Sequence, residues 1–212
     1  MEYKPMLKYI VPFLLVALAM SLTGFGVNQF IAYSIKAILG LAAIIYFWKQ
    51  YKEIKIKFDL SAWVFGLIII MIWIGLEFLN KGNNISYDPT RYSNLFYLLI
   101  GLKIIGLVIT VPVIEELFMR SFLIRWFINP DFEKVKIGKF TWFSFLLATI
   151  LFGLFHGSSI IGSRLVVGLI AGAMFNLWLY YRKDIFSCIQ CHASANLFLA
   201  VYVIITQNWM LW

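Results

Sequence analysis

Seven long apolar runs constrain this chain more than any other feature of its sequence. They cover about residues 9–25, 29–48, 60–79, 95–118, 141–157, 164–181 and 185–206. Each approaches the ~20 apolar residues that cross a bilayer as a helix. The expected fold is therefore all-α: a polytopic transmembrane helical bundle of about seven spans, forming a single integral membrane domain over residues 1–212. Composition points the same way. The chain is 62% hydrophobic and 13% charged, whereas a soluble domain is roughly half apolar and about a quarter charged.

A net charge of +8 on a soluble protein would suggest nucleic acid. Here Lys and Arg flank spans and set topology, and no basic helix with interleaved stacking aromatics points to nucleic acid. With the N-terminus on the cytoplasmic side, 13 of the 18 basic residues fall in cytoplasmic segments. Lys81, Arg91 and Arg164 fall outside, and Lys36 and Lys103 lie within spans. The bias predicts a cytoplasmic N-terminus and an external C-terminus. Ala17-Leu18-Ala19 resembles a signal-peptidase site, yet the first run is read as an uncleaved span. The stretch NKGNNISYDPTRYSN (80–94) reads as a polar loop. The two cysteines are too close together to suggest a disulfide framework.

Against this background, VPVIEELFMRSF (111–122) needs an explanation, because it sets two adjacent carboxylates among apolar residues. Ionisable groups inside a bilayer are costly and mark function by default. Neighbours on a helix point about 100° apart, so Glu115 and Glu116 face different surroundings. Glu116 and Arg120 are i,i+4 with the acid first, the favourable order for an ion pair. Glu115 has Met119 at i+4 and must look to another helix. If the carboxylates merely ended a span, polar sequence would follow; instead Ser121, Phe122, Leu123 and Ile124 continue the apolar pattern.

Both histidines also lie in apolar segments: His156 in FGLFHG and His192 in CHASAN. A lone buried histidine is most often a satisfied core group. Here Phe152 shares a helical face with His156, and His192 shares one with Asn196. Two histidines, Glu115 and an asparagine in membrane helices fit one site better than four separate coincidences. A glutamate near a histidine can deprotonate a water, since burial raises a carboxylate's pKa and histidine works near neutrality. N–H groups of His192 and Asn196 suit a developing oxyanion. The set describes hydrolysis of an amide or ester by an activated water, with no serine or cysteine nucleophile.

EELFMR, FGLFH and HASAN fit EExxxR, FxxxH and HxxxN, in that order. In a polytopic protein they resemble the CPBP family, the type II CAAX prenyl endopeptidases and their bacterial relatives once called Abi proteins. The resemblance spans about residues 95–206, which would be the protease core. It implies that Glu115 and His156 activate the water, that His192 and Asn196 form the oxyanion site, and that Glu116 and Arg120 support them. Ser121 follows the arginine where many relatives have glycine. The implied activity is intramembrane endopeptidase cleavage of a membrane-associated peptide or protein, in a prokaryotic cell membrane.

Other readings compete. A non-catalytic immunity or scaffold protein of the same family would use the polar cluster for helix packing or partner binding. A proton-coupled transporter would use Glu115 as its proton site, but no internal repeat accompanies it. Zinc could be held by Glu115, His156 and His192 with an open position; the metal-free mechanism is preferred, because HExxH is missing and Asn196 is a poor zinc ligand. Cys188-Ile189-Gln190-Cys191-His192 has the spacing of haem c attachment, but it enters an apolar span from the cytoplasmic side. One mismatch follows from the boundaries themselves. Glu115 falls near the cytoplasmic end of its span and His156 near the outer end of its own. A bend at Pro112 is one way to relieve it.

Overall fold

The computed structural model describes residues 4–78, 95–156 and 163–211. The polar stretch 80–94, with Lys81 and Arg91, lies outside the described residues. Among the described residues seven long helices follow in order: α1 Lys4–Ser21, α2 Gln29–Phe47, α3 Leu60–Phe78, α4 Leu95–Ile128, α5 Trp142–His156, α6 Ser163–Arg182 and α7 Ile185–Thr206. No strand occurs among the described residues. Six of the helices include a stretch long and apolar enough to cross a membrane; α5 is equally apolar but has 15 residues. Leu18, Ile45, Met71 and Ile205 are exposed, as expected of helices whose outer surface faces lipid rather than water. The chain is an integral membrane protein.

Short polar residues start several helices. Asn28 accepts a hydrogen bond from the Phe30 N–H at the start of α2, and Asp184 accepts one from Phe186 N–H at the start of α7. Such caps satisfy donors that the first helical turn leaves unpaired.

The largest departure from the sequence expectation is α4. The expected span ended near residue 118; the helical run continues to Ile128 and is 34 residues long. At about 1.5 Å per residue it extends roughly 50 Å, well beyond a ~30 Å hydrocarbon core. Glu115, Glu116 and Arg120 therefore interrupt the interior of a helix and do not end it. The expected boundary failed because charge lowers hydropathy wherever the side chain points. Two stretches of α4 are wound as π-helix, Gly106–Thr110 and Leu117–Leu123. The first precedes Pro112, whose ring would clash with the carbonyl of Val108, four residues back, in a regular α-helix. A wider turn relieves that clash.

The described residues form two compact units. The first holds residues 4–52, 95–115 and 196–211; the second holds 53–78, 116–156 and 163–195. In the first, Val16, Ile44 and Ile114 form a buried cluster with Phe13 and Val113 packed against it. A Cβ on Gly40 would run into Thr110 Cγ2, so glycine allows α2 and α4 to approach there. In the second unit α6 packs against α5 and α3. Small residues at such contacts are what membrane helices use to pack closely.

Candidate functional site

Within the second unit, α4 directs Glu116 and Arg120 inward, and both are fully buried. Arg120 Nη1 donates to Glu116 Oε1 at 3.2 Å, the contact their i,i+4 spacing favours. The same carboxylate oxygen lies 2.8 Å from Nδ1 of His192 on α7, itself 4% exposed. A carboxylate can only accept, so Nδ1–H donates and the ring's tautomer and orientation are set. Arg120 also lies over the Phe152 ring at 4.7 Å and the Phe175 ring at 5.4 Å. Such cation–π contacts help a guanidinium that has left water. Even so, Glu116 Oε2 and Arg120 Nε and Nη2 are buried with no hydrogen-bond partner among the described residues.

Phe152 links this cluster to His156. The two rings stack at 4.1 Å, and His156 Nδ1 bonds the Phe152 carbonyl at 2.9 Å. Phe152 also lies 6.4 Å from the His192 ring, and Phe175 lies 4.8 Å from it. Glu116, Arg120, His156 and His192 thus gather around two phenylalanines.

Glu115 and Asn196 belong to the first unit. Glu115 is half-buried and acts electrostatically on Tyr33 and Lys36 of α2. Lys36 Nζ lies over the Tyr33 ring at 4.9 Å; Lys103 Nζ lies over Phe30 at 4.6 Å and Tyr33 at 5.3 Å. Asn196 Nδ2 donates to the Leu107 carbonyl at 2.8 Å, within the first π-helical stretch.

Several contributors escaped the motif reading. Arg125 is buried; its Nε donates to the Ser121 carbonyl and its Nη2 to Ser121 Oγ at 2.9 Å. Ser121 Oγ in turn donates to Glu53 at 2.7 Å. The serine that departs from the family's glycine therefore fastens the π-helical turn carrying Arg120. On α5 and α6, Asn176 Nδ2 donates to Thr149 Oγ1 at 3.0 Å, and both residues are buried. Lys36 and Lys103 were visible in the sequence as cations within spans; nothing there tied them to Glu115. Among the described residues, no three His, Cys, Asp or Glu side chains gather as metal ligands would.

Residues 95–198 match the family model described as type II CAAX prenyl endopeptidase Rce1-like. The match places this part of the chain in the CPBP family, at the level of a CAAX-type intramembrane protease. No curated protein and no solved structure matches the chain.

Proposed function

We propose that the protein is an intramembrane endopeptidase that cleaves a peptide bond of a membrane-associated peptide or protein with an activated water. Glu115 and His156 take the proton as the water attacks the scissile carbonyl. His192 and Asn196 donate to the resulting oxyanion, and the proton then passes to the leaving amine. The observation that carries this reading is the Glu116–Arg120–His192 cluster: fully buried charge, fixed by direct bonds, with polar atoms still unmatched. Buried polar groups are normally satisfied, and exceptions call for an explanation such as a catalytic role or a bound water. A water or a peptide group at this position would complete the set.

The cluster also suggests a role for Glu116. With Nδ1–H committed to Glu116, neutral His192 carries no proton on Nε2. To donate to an oxyanion from Nε2 the ring must carry both protons, and the 2.8 Å bond to Glu116 holds it in place. Glu116 is thereby a positioning residue that fixes the orientation of the His192 ring.

The test is cleavage of a peptide library by purified, reconstituted protein, with Glu115→Ala alongside and a chelator in a third reaction. Cleavage lost in the variant and kept with chelator supports a metal-independent glutamate mechanism. Loss with chelator transfers the water to zinc. Cleavage by Glu115→Ala at the wild-type rate overturns the assignment of Glu115.

A further inference from the structure

Residues 53–59, EIKIKFD, lead directly into α3, and their side chains divide by charge. Both acids are engaged by the protein. Glu53 Oε1 accepts from Ser121 Oγ at 2.7 Å, and Asp59 Oδ2 accepts from Arg182 and from Ser187 Oγ, each at 2.7 Å. The main chain is held as well: Gln190 Nε2 donates to the Lys57 carbonyl at 2.8 Å, and Asp59 N–H donates to Gln190 Oε1 at 3.0 Å. Between these anchors, Lys55, Ile56, Lys57 and Phe58 are all exposed. Ile56 and Phe58 are as open as 73% and 68%.

A segment that only set topology would need the lysines and nothing more. This one also presents two large apolar side chains at the entrance to a membrane-spanning helix, while its acids are bound elsewhere. That combination suits the surface of an anionic bilayer. Apolar side chains enter the boundary between headgroups and acyl chains, and ammonium groups meet the phosphates. We propose that Lys55, Ile56, Lys57 and Phe58 form a binding surface for anionic phospholipid headgroups. The segment is fastened to Ser121, next to Arg120, and to Gln190, two residues before His192. Headgroup binding therefore also holds the ends of the helices that bear the buried cluster.

The experiment is thermal unfolding of the full chain in nanodiscs of phosphatidylcholine, with and without phosphatidylglycerol. Wild type should unfold at a higher temperature with phosphatidylglycerol, and added salt should shrink the rise. Lys55→Gln/Lys57→Gln should lose most of it, since each lysine contributes roughly fivefold in affinity. Lys55→Arg/Lys57→Arg and Lys136→Gln/Lys139→Gln should keep it. An equal rise in Lys55→Gln/Lys57→Gln and wild type overturns the proposal. If that variant fails to fold, wild type in detergent is titrated with short-chain phosphatidylglycerol and phosphatidylcholine. Preferential stabilisation by the anionic lipid supports the surface, and equal responses overturn it. If phosphatidylglycerol gives no rise while a polyglutamate peptide added to phosphatidylcholine nanodiscs does, the proposal is overturned in favour of an acidic peptide partner.

Discussion

Glu115 and Glu116 are adjacent in sequence and lie in different surroundings. Glu116 is fully buried and bonded directly to Arg120 and His192. Glu115 is half-buried, in a neighbourhood where Lys36 and Lys103 lie over aromatic faces. One carboxylate is bonded to Arg120 and His192; the other lies within electrostatic reach of Tyr33 and Lys36. A helix turning about 100° per residue makes this division possible. In the proposed mechanism it separates two tasks: Glu116 positions His192, and Glu115 exchanges a proton.

The largest expected effect tests the Glu115 side of that division. Glu115→Gln should lower kcat/KM by about 10²–10⁴-fold, the usual worth of a general base, with the unfolding temperature close to wild type. A variant that retains activity, or that unfolds much earlier, would erase the distinction between the two glutamates.

Glu116→Gln tests the fixed side. Removing one partner of a buried ion pair costs about 3–5 kcal/mol, because the other charge is left uncompensated. The variant should unfold well below wild type. Adding Arg120→Met should recover much of the loss, since replacing a whole buried pair by apolar groups is often neutral. If the double variant is as unstable as the single one, the two residues are not coupled.

A third change acts on the same side through packing. A Cβ at Gly66 of α3 would run into Ser194 Oγ and the Cys191 carbonyl, on either side of His192 in α7. Gly66→Ala must push these helices apart, at a cost of about 2–3 kcal/mol. Activity should fall further than stability alone explains, because α7 carries the histidine that Glu116 holds. Wild-type kcat/KM in folded protein would show that this side tolerates displacement.

These three positions also show what the sequence can convey. Apolar runs revealed nearly every helix, because a membrane leaves the backbone few alternatives. The Glu116–Arg120 pair was legible because both partners lie on one helix at a favourable spacing. The bond from His192 to the same carboxylate was not, since 76 residues separate the two and no local pattern encodes which helix faces which. Pro112 hinted at the irregularity in α4. The second π-helical stretch carries no comparable marker; its contacts, from Arg125 and Glu53 to Ser121, come from outside the motif. Gly66 looks in sequence like any glycine in an apolar run.

The smallest effect lies where α3 and α7 begin. Asp59 Oδ1 accepts from Ser61 N–H at 3.1 Å, capping α3, while its other oxygen bonds Arg182 and Ser187. Burial alone would push its carboxyl up. Hydrogen bonds from Ser61 and Ser187, the Arg182 charge and the Ala62 N–H outweigh burial and hold it below the ordinary value of 3.8. A depressed carboxyl contributes stability that is fully present above the unfolded value and is lost as pH falls through the folded one. Asn at this position still caps a helix, so Asp59→Asn isolates the charge. It should lower stability by about 1–2 kcal/mol near neutrality. The difference from wild type should shrink as pH drops below about 4 and vanish once both forms are neutral. Thermal unfolding across that range measures it. A gap that persists at the lowest pH would mean that Asp59 holds α3 and α7 by shape, leaving Glu116 as the residue whose charge fixes α7.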